Sequence, residues 1–115
     1  MKFQASTESE LTAFAAATAG ITPTRREDSV TVSIAGRFDF HCHQAFRRAY
    51  EGLEGVQHYV IDLSRAEYLD SSALGMLLVM RESVEGHGDV KIINCTPAVR
   101  RILDIANFHQ LFLVT

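Results

Sequence analysis

The order of patterned segments predicts an α/β domain with a mixed, mostly parallel β-sheet and helices packed on it. Two short strand patterns come first, and single helices then alternate with strands, giving β-β-α-β-α-β-α-β. Strands separated by one helix pair in parallel through right-handed crossovers. A chain of 115 residues is the size of one ordinary domain. Its composition, 47% hydrophobic and 22% charged, is that of a globular protein.

Residues 1–20 differ from the rest and are read as a leader. Thr7 and Glu10 fit a capping box ahead of LTAFAAATA, so the segment is either one short helix ending at Gly20 or a disordered stretch. The folded domain is assigned to residues 21–115. Ile21 to Glu27 is a weak strand, and Pro23 within it argues for a sheet edge. Asp28 and Ser29 make a turn. Val30, Val32 and Ile34 alternate with Thr31, Ser33 and Ala35 as in a half-buried strand, which Gly36 closes.

A helix is expected from about Cys42 to Glu51. Ala45, Phe46, Ala49, Tyr50 and Leu53 share one face of it, and Gly52 and Gly55 end it. Tyr59 to Leu63 reads as a buried strand, and Glu67 to Asp70 as the loop that leaves it. Ser71 opens the next helix as its N-cap or nearly so. Leu74, Leu77 and Leu78 are placed on its core face, and Gly86-His87-Gly88 stops it. Val90 to Asn94 is a strand. Thr96-Pro97 starts a helix with a hydroxyl cap and proline at its first position. Val99, Ile102, Leu103 and Ala106 give that helix its core face, and Leu111 to Val114 is a last strand.

Eleven basic residues against fourteen acidic ones leave a formal charge of −3. Such a chain lacks the basic footprint that phosphate backbones require, so nucleic acid is not expected as a partner. It has no polybasic run for a membrane surface, and no apolar run approaches the ~20 residues that span a bilayer. Two cysteines, Cys42 and Cys95, cannot build a disulfide framework. Glu8 and Glu10 sit where a signal peptide is basic or apolar, so a cytoplasmic protein is expected. His41-Cys42-His43 does not read as a metal site, because residues i and i+2 do not converge on a helix. His58, His87 and His109 are scattered. No G-x-S-x-G elbow or phosphate-binding loop is present, so no catalytic residue and no cofactor are assigned.

The sharpest local feature is Asp70-Ser71-Ser72-Ala73-Leu74-Gly75, between a strand and a helix. A serine there is most simply a helix cap. A phosphate on it would also be favoured by the free N–H groups and positive dipole end of the first turn. On the same helix Met76, Val79 and Met80 are left pointing partly outward. They suit an adaptable partner surface, or else pack beneath a neighbouring helix or the leader.

LSRAEYLDSSALGMLLVM resembles the signature of the STAS family, the bacterial anti-sigma factor antagonists. IAGRFDFHCHQAFR resembles the family's Gly-x-Leu-Asp strand end and following helix. YVIDLS resembles its central strand, and INCTPAVRRILDIANFHQLFLV its last helix and strand. The resemblance covers about Ser29 to Thr115, in the right order and spacing. It implies the STAS fold and a non-enzymatic partner switch. The unphosphorylated antagonist binds an anti-sigma factor that is also a serine kinase, is released once phosphorylated, and is reset by a PP2C-type phosphatase. By residue matching the phosphoacceptor is Ser71, with Ser72 its neighbour and Asp39 and Asp70 the acidic residues around it.

Two departures stand out: Phe38 replaces the usual Leu before Asp39, and Cys42 replaces a hydroxyl cap. An alternative use of the same fold is an accessory subunit of a lipid-transport ABC system, bound to its ATPase. Another is a partner switch with an output other than a sigma factor. A monomer is expected.

Overall fold

The computed structural model describes residues 19–115. The leader therefore lies outside the described residues, apart from Ala19 and Gly20, which form a turn. Five strands form one sheet in chain order: β1 (Ile21–Arg26), β2 (Ser29–Phe38), β3 (His58–Leu69), β4 (Asp89–Ile93) and β5 (Leu113–Val114). β1 is antiparallel to β2, and all other pairs are parallel. Three helices fill the crossovers: α1 (His43–Tyr50), α2 (Ser71–Val84) and α3 (Pro97–Ile105). Pro23 lies in β1, an edge strand, where a missing N–H costs no internal sheet bond.

Each parallel crossover steps to the next strand in the same direction. Right-handed crossovers then put all three helices on one face of the sheet. Burial follows this geometry. Val30, Val32, Ile34, Tyr59, Ile61, Leu63 and Ile92 are buried, while the alternate residues Thr31, Ser33, Val60, Asp62 and Lys91 are half-buried or exposed. The helices close the core with Phe46, Leu77, Met80, Val99 and Leu103. Among the described residues no polar or charged side chain is buried. Thr96 caps α3 by accepting a hydrogen bond from the Val99 N–H at 3.3 Å, with Pro97 in the first turn as the sequence indicates.

Several element boundaries differ from the sequence reading; β5, for one, is only Leu113–Val114 and follows a 3-10 turn over Phe108–Gln110. Gly36 does not close β2 but continues it at φ +79°, a conformation that glycine adopts without steric penalty. The ladder slips there: Gly36 faces Ala66 while Arg37 faces Tyr68, so β3 carries one extra residue, Glu67. Nor does β3 end at Leu63. It continues through Leu69, with its last residues paired to β2. A 3-10 turn over Phe40–Cys42 precedes α1, which begins at His43.

Candidate functional site

β2 and β3 end side by side. Phe38 is the register partner of Leu69, and the Asp70 N–H donates to the Phe38 carbonyl at 3.4 Å. Asp39 and Asp70 therefore leave adjacent parallel strands at their carboxyl ends, the place where open α/β sheets commonly bind ligands. Each aspartate caps the helical turn after it. Asp39 accepts from the His41 N–H at 3.0 Å and starts the 3-10 turn. Asp70 accepts from the Ala73 N–H at 2.9 Å and from the Ser72 hydroxyl at 2.7 Å.

Asp70, not Ser71, is thus the N-cap of α2, because a carboxylate is a stronger acceptor than a hydroxyl and here takes two donors at once. Ser71 becomes the first helical residue and is exposed. Ser72 differs from it: its hydroxyl is engaged with Asp70 and half-buried. Hydrogen bonds from the Ser72 hydroxyl and the Ala73 N–H hold the Asp70 carboxyl below its ordinary range, against an opposing effect of desolvation and with only a minor contribution from the Arg37 charge. A carboxyl lowered in the folded state stabilises the fold above its unfolded pKa, about pH 4, and that contribution is lost as pH falls through the folded value. Asp70→Ala is accordingly expected to unfold at lower temperature than wild type at pH 7. Thermal melts should show the gap closing below about pH 4, where the native carboxylate protonates. A gap independent of pH would mean that the charge of Asp70 contributes nothing.

A groove of about 430 Å³ runs between α1 and α2, beginning beside Ser72. Phe46, Tyr50 and Met76 form its floor, and Phe40 and Val79 rise at its rim, 66% and 55% exposed. The Phe40 ring stacks on His43 with centroids 5.3 Å apart. Burial pushes the Tyr50 phenol up, partly offset by its hydrogen bond with Ser83.

The structure corrects the outward placement of Met76, Val79 and Met80. Met80 is fully buried and Met76 is 8% exposed, so of the three only Val79 stands open. Ala73, Met76, Leu77, Met80 and Val84 form the core face of α2, and Leu74 and Leu78 are only half-buried. Gly75 lies over the groove in mid-helix, and a Cβ added there meets nothing within 4 Å. Gly75→Ala should raise stability by about 0.5–1 kcal/mol, since glycine costs that much in a helix. Urea unfolding checks this. A loss of partner binding by this more stable variant would show that the open space serves an occupant.

The sequence singled out neither Arg37, Tyr68 nor Phe40. The Arg37 guanidinium lies 4.8 Å from the Tyr68 ring centroid, and its Nε is 3.9 Å from an Asp39 carboxylate oxygen. Only the register slip at Gly36 brings Arg37 opposite Tyr68, and no local pattern announces it. Phe40 had a weak signal, an apolar ring directly after a capping aspartate. His41 and Cys42 diverge. The His41 side chain is 95% exposed, whereas the buried Cys42 thiol donates toward the Ala19 and Arg37 carbonyls at 3.5 Å each. His58 lies at the opposite end of the sheet, 3.1 Å from Asp89.

A family model described as "Mlab, STAS domain" matches residues 21–115. The chain belongs to the STAS-domain family. A STAS-domain-containing protein of Pseudomonas aeruginosa, strain UCBPP-PA14, is 48% identical over 95 residues, covering 81% of this chain and 94% of that protein. Among solved structures, the STAS fold here is similar to an anti-sigma factor antagonist from Mycobacterium paratuberculosis. The TM-score is 0.71 at 22% identity, over 82% of each chain. It is also similar to a sulfate transporter family protein from Wolinella succinogenes, with a TM-score of 0.67 at 14% identity, over 76% of this chain and 74% of that one. At these identities the two structures establish the shared STAS fold. No helix among the described residues is long and apolar enough to cross a membrane.

Proposed function

We propose that this STAS domain is an anti-sigma factor antagonist working as a phosphorylation-controlled partner switch in the cytoplasm. With Ser71 bare it binds a serine-kinase anti-sigma factor. Phosphorylation of Ser71 by that kinase releases it, and a PP2C-type phosphatase restores it. The chain supplies an acceptor hydroxyl and a docking surface and performs no chemistry of its own.

One observation carries this reading: an exposed hydroxyl stands at the first position of α2, beside a half-exposed apolar groove and two capping carboxylates. A phosphate there adds about −1.5 to −2 charges beside Asp39 and Asp70. The helix N-terminus offsets part of that repulsion within the fold. A partner seated across Ser71 and the Phe40–Val79 rim meets the added charge directly. The resemblance to an antagonist structure supports the same reading.

The test is a pull-down from native cell extract with Ser71→Ala and Ser71→Asp baits, read by mass spectrometry. Recovery of an ATP-binding serine kinase by the Ala bait alone is the expected result. Recovery of an ABC ATPase by both baits would move the domain to a transport complex and leave Ser71 a simple surface residue at the start of α2.

A further inference from the structure

We propose that the chain's own leader occupies the groove between α1 and α2. It folds back along α1, seats Leu11 and Phe14 between Phe40 and Val79, and competes there with the partner. The competition rests on the partner reading above; the docking does not. Three observations carry it. First, the chain enters β1 from the helix side of the sheet. Gly20 holds φ +75°, a side chain there would strike the Ala35 carbonyl, and the Gly20 carbonyl accepts from the Ala35 N–H at 2.8 Å. This turn pins Ala19, which packs against the core with its carbonyl 3.5 Å from the buried Cys42 thiol. Cys42 ends the 3-10 turn that Phe40 begins, and Phe40 is the rim of the groove. The leader therefore joins the domain beneath one end of α1, one short turn from the groove mouth. The open sheet face with Thr31, Val60 and Lys91 lies on the other side.

Second, length and pattern fit the groove. The eight residues from Leu11 to Thr18 match the eight of α1. A helix of that size is about 12 Å long, and the same segment extended reaches ~27 Å, so it can cross from Ala19 to any part of the groove. Leu11, Phe14 and Ala15 share one face at helical spacing. Along this path the Phe14 ring meets Gly75, whose missing side chain leaves open the space above Phe46 and Met76. Glu8 and Glu10 then come toward the last turn of α1, which carries Arg48 and Arg47, the latter bonded to Glu51 at 2.7 Å. Third, the leader is an addition to the family's domain. The family model begins at residue 21, and the Pseudomonas aeruginosa relative is matched over 94% of its own length. The shared core does not draw on Leu11 or Phe14, whereas Phe40 and Val79 stand 66% and 55% exposed. A tethered segment acts at a millimolar effective concentration, so even a weak contact fills the groove. The partner then binds only the fraction of molecules whose groove is open.

The experiment is a proton NOE spectrum of the full chain with labelled methyl groups. Contacts are expected from the Phe14 ring to the Val79 and Met76 methyls, unchanged on dilution. They should disappear in Val79→Asp and in a Leu11→Ser/Phe14→Ser double variant. Val79 is exposed, so the first change leaves the core intact, and thermal melts confirm that both variants are folded. Absent groove contacts, contacts to Val60 on the open sheet face instead, or contacts that fade on dilution as those of a second copy would, each overturn the docking. Against the kinase recovered by the pull-down, the double variant should bind about threefold more tightly than wild type. Equal affinities would strike out the competition. If the pull-down yields no kinase, the partner reading fails, while persistent contacts between Phe14 and Val79 still uphold the docking.

Discussion

Ser71→Asp should bind the kinase partner at least tenfold more weakly than wild type, while Ser71→Ala binds as tightly and cannot be released. Ser71 is exposed and is not the helix cap, so neither change should move stability by more than about 0.5 kcal/mol. The effect on binding comes from a fixed negative charge placed beside Asp39 and Asp70 and then covered by a partner. A penalty of only about 1.4 kcal/mol gives the tenfold loss. Titration calorimetry with the purified partner measures the affinities, and labelling with ATP shows whether the Ala variant is inert as a substrate. Equal affinities for wild type and both variants would end the switch assignment.

Phe46→Ala should destabilise the domain by about 3–5 kcal/mol, the usual cost of emptying a buried aromatic site. Phe46 is 1% exposed, and its ring lies 5.0 Å from Phe38 and 5.4 Å from Tyr50. It therefore joins α1 to the end of β2, and it also forms the groove floor. In a domain of this size the melting temperature should fall by about 15 °C or more. A drop of only a few degrees would mean that α1 contributes little to the cooperative fold.

Much of this architecture was legible because period and punctuation agreed. Pro23 marked the edge strand, Thr96-Pro97 the start of α3, and the Val30, Val32 and Ile34 alternation the buried face of β2. The failures have physical causes. The strand was expected to stop at Leu63, before the polar Ser64 and Arg65, and Glu67 to Asp70 read as a loop; residues 64–69 are in fact strand. They form the end of β3 beyond β4, where pairing to β2 persists while much of the surface faces water. On α2, Leu74, Met76, Leu77, Leu78, Val79 and Met80 are apolar around most of the circumference, so helical period could not choose the buried side; tertiary packing did. Asp70 and Ser71 are both competent caps, and the carboxylate, which takes the Ala73 N–H and the Ser72 hydroxyl together, tips the choice to Asp70. Arg37 was hidden by the bulge, because a register slip leaves no trace in a short window of sequence.

The antiparallel run of β1 settles how this protein is best handled on a sensor surface. Its first residues come in at the pole that carries Asp39 and Ser71. The Gly20 carbonyl accepts from the Ala35 N–H at 2.8 Å, and the Ala19 carbonyl meets the Cys42 thiol. An affinity tag or fusion partner joined directly to Ala19 would therefore attach at the pole that carries Asp39 and Ser71, the end a partner must reach. The Glu27–Asp28 turn lies at the far end of the same hairpin with its side chains in solvent. A dye or tether on Glu27 leaves the binding pole facing the analyte.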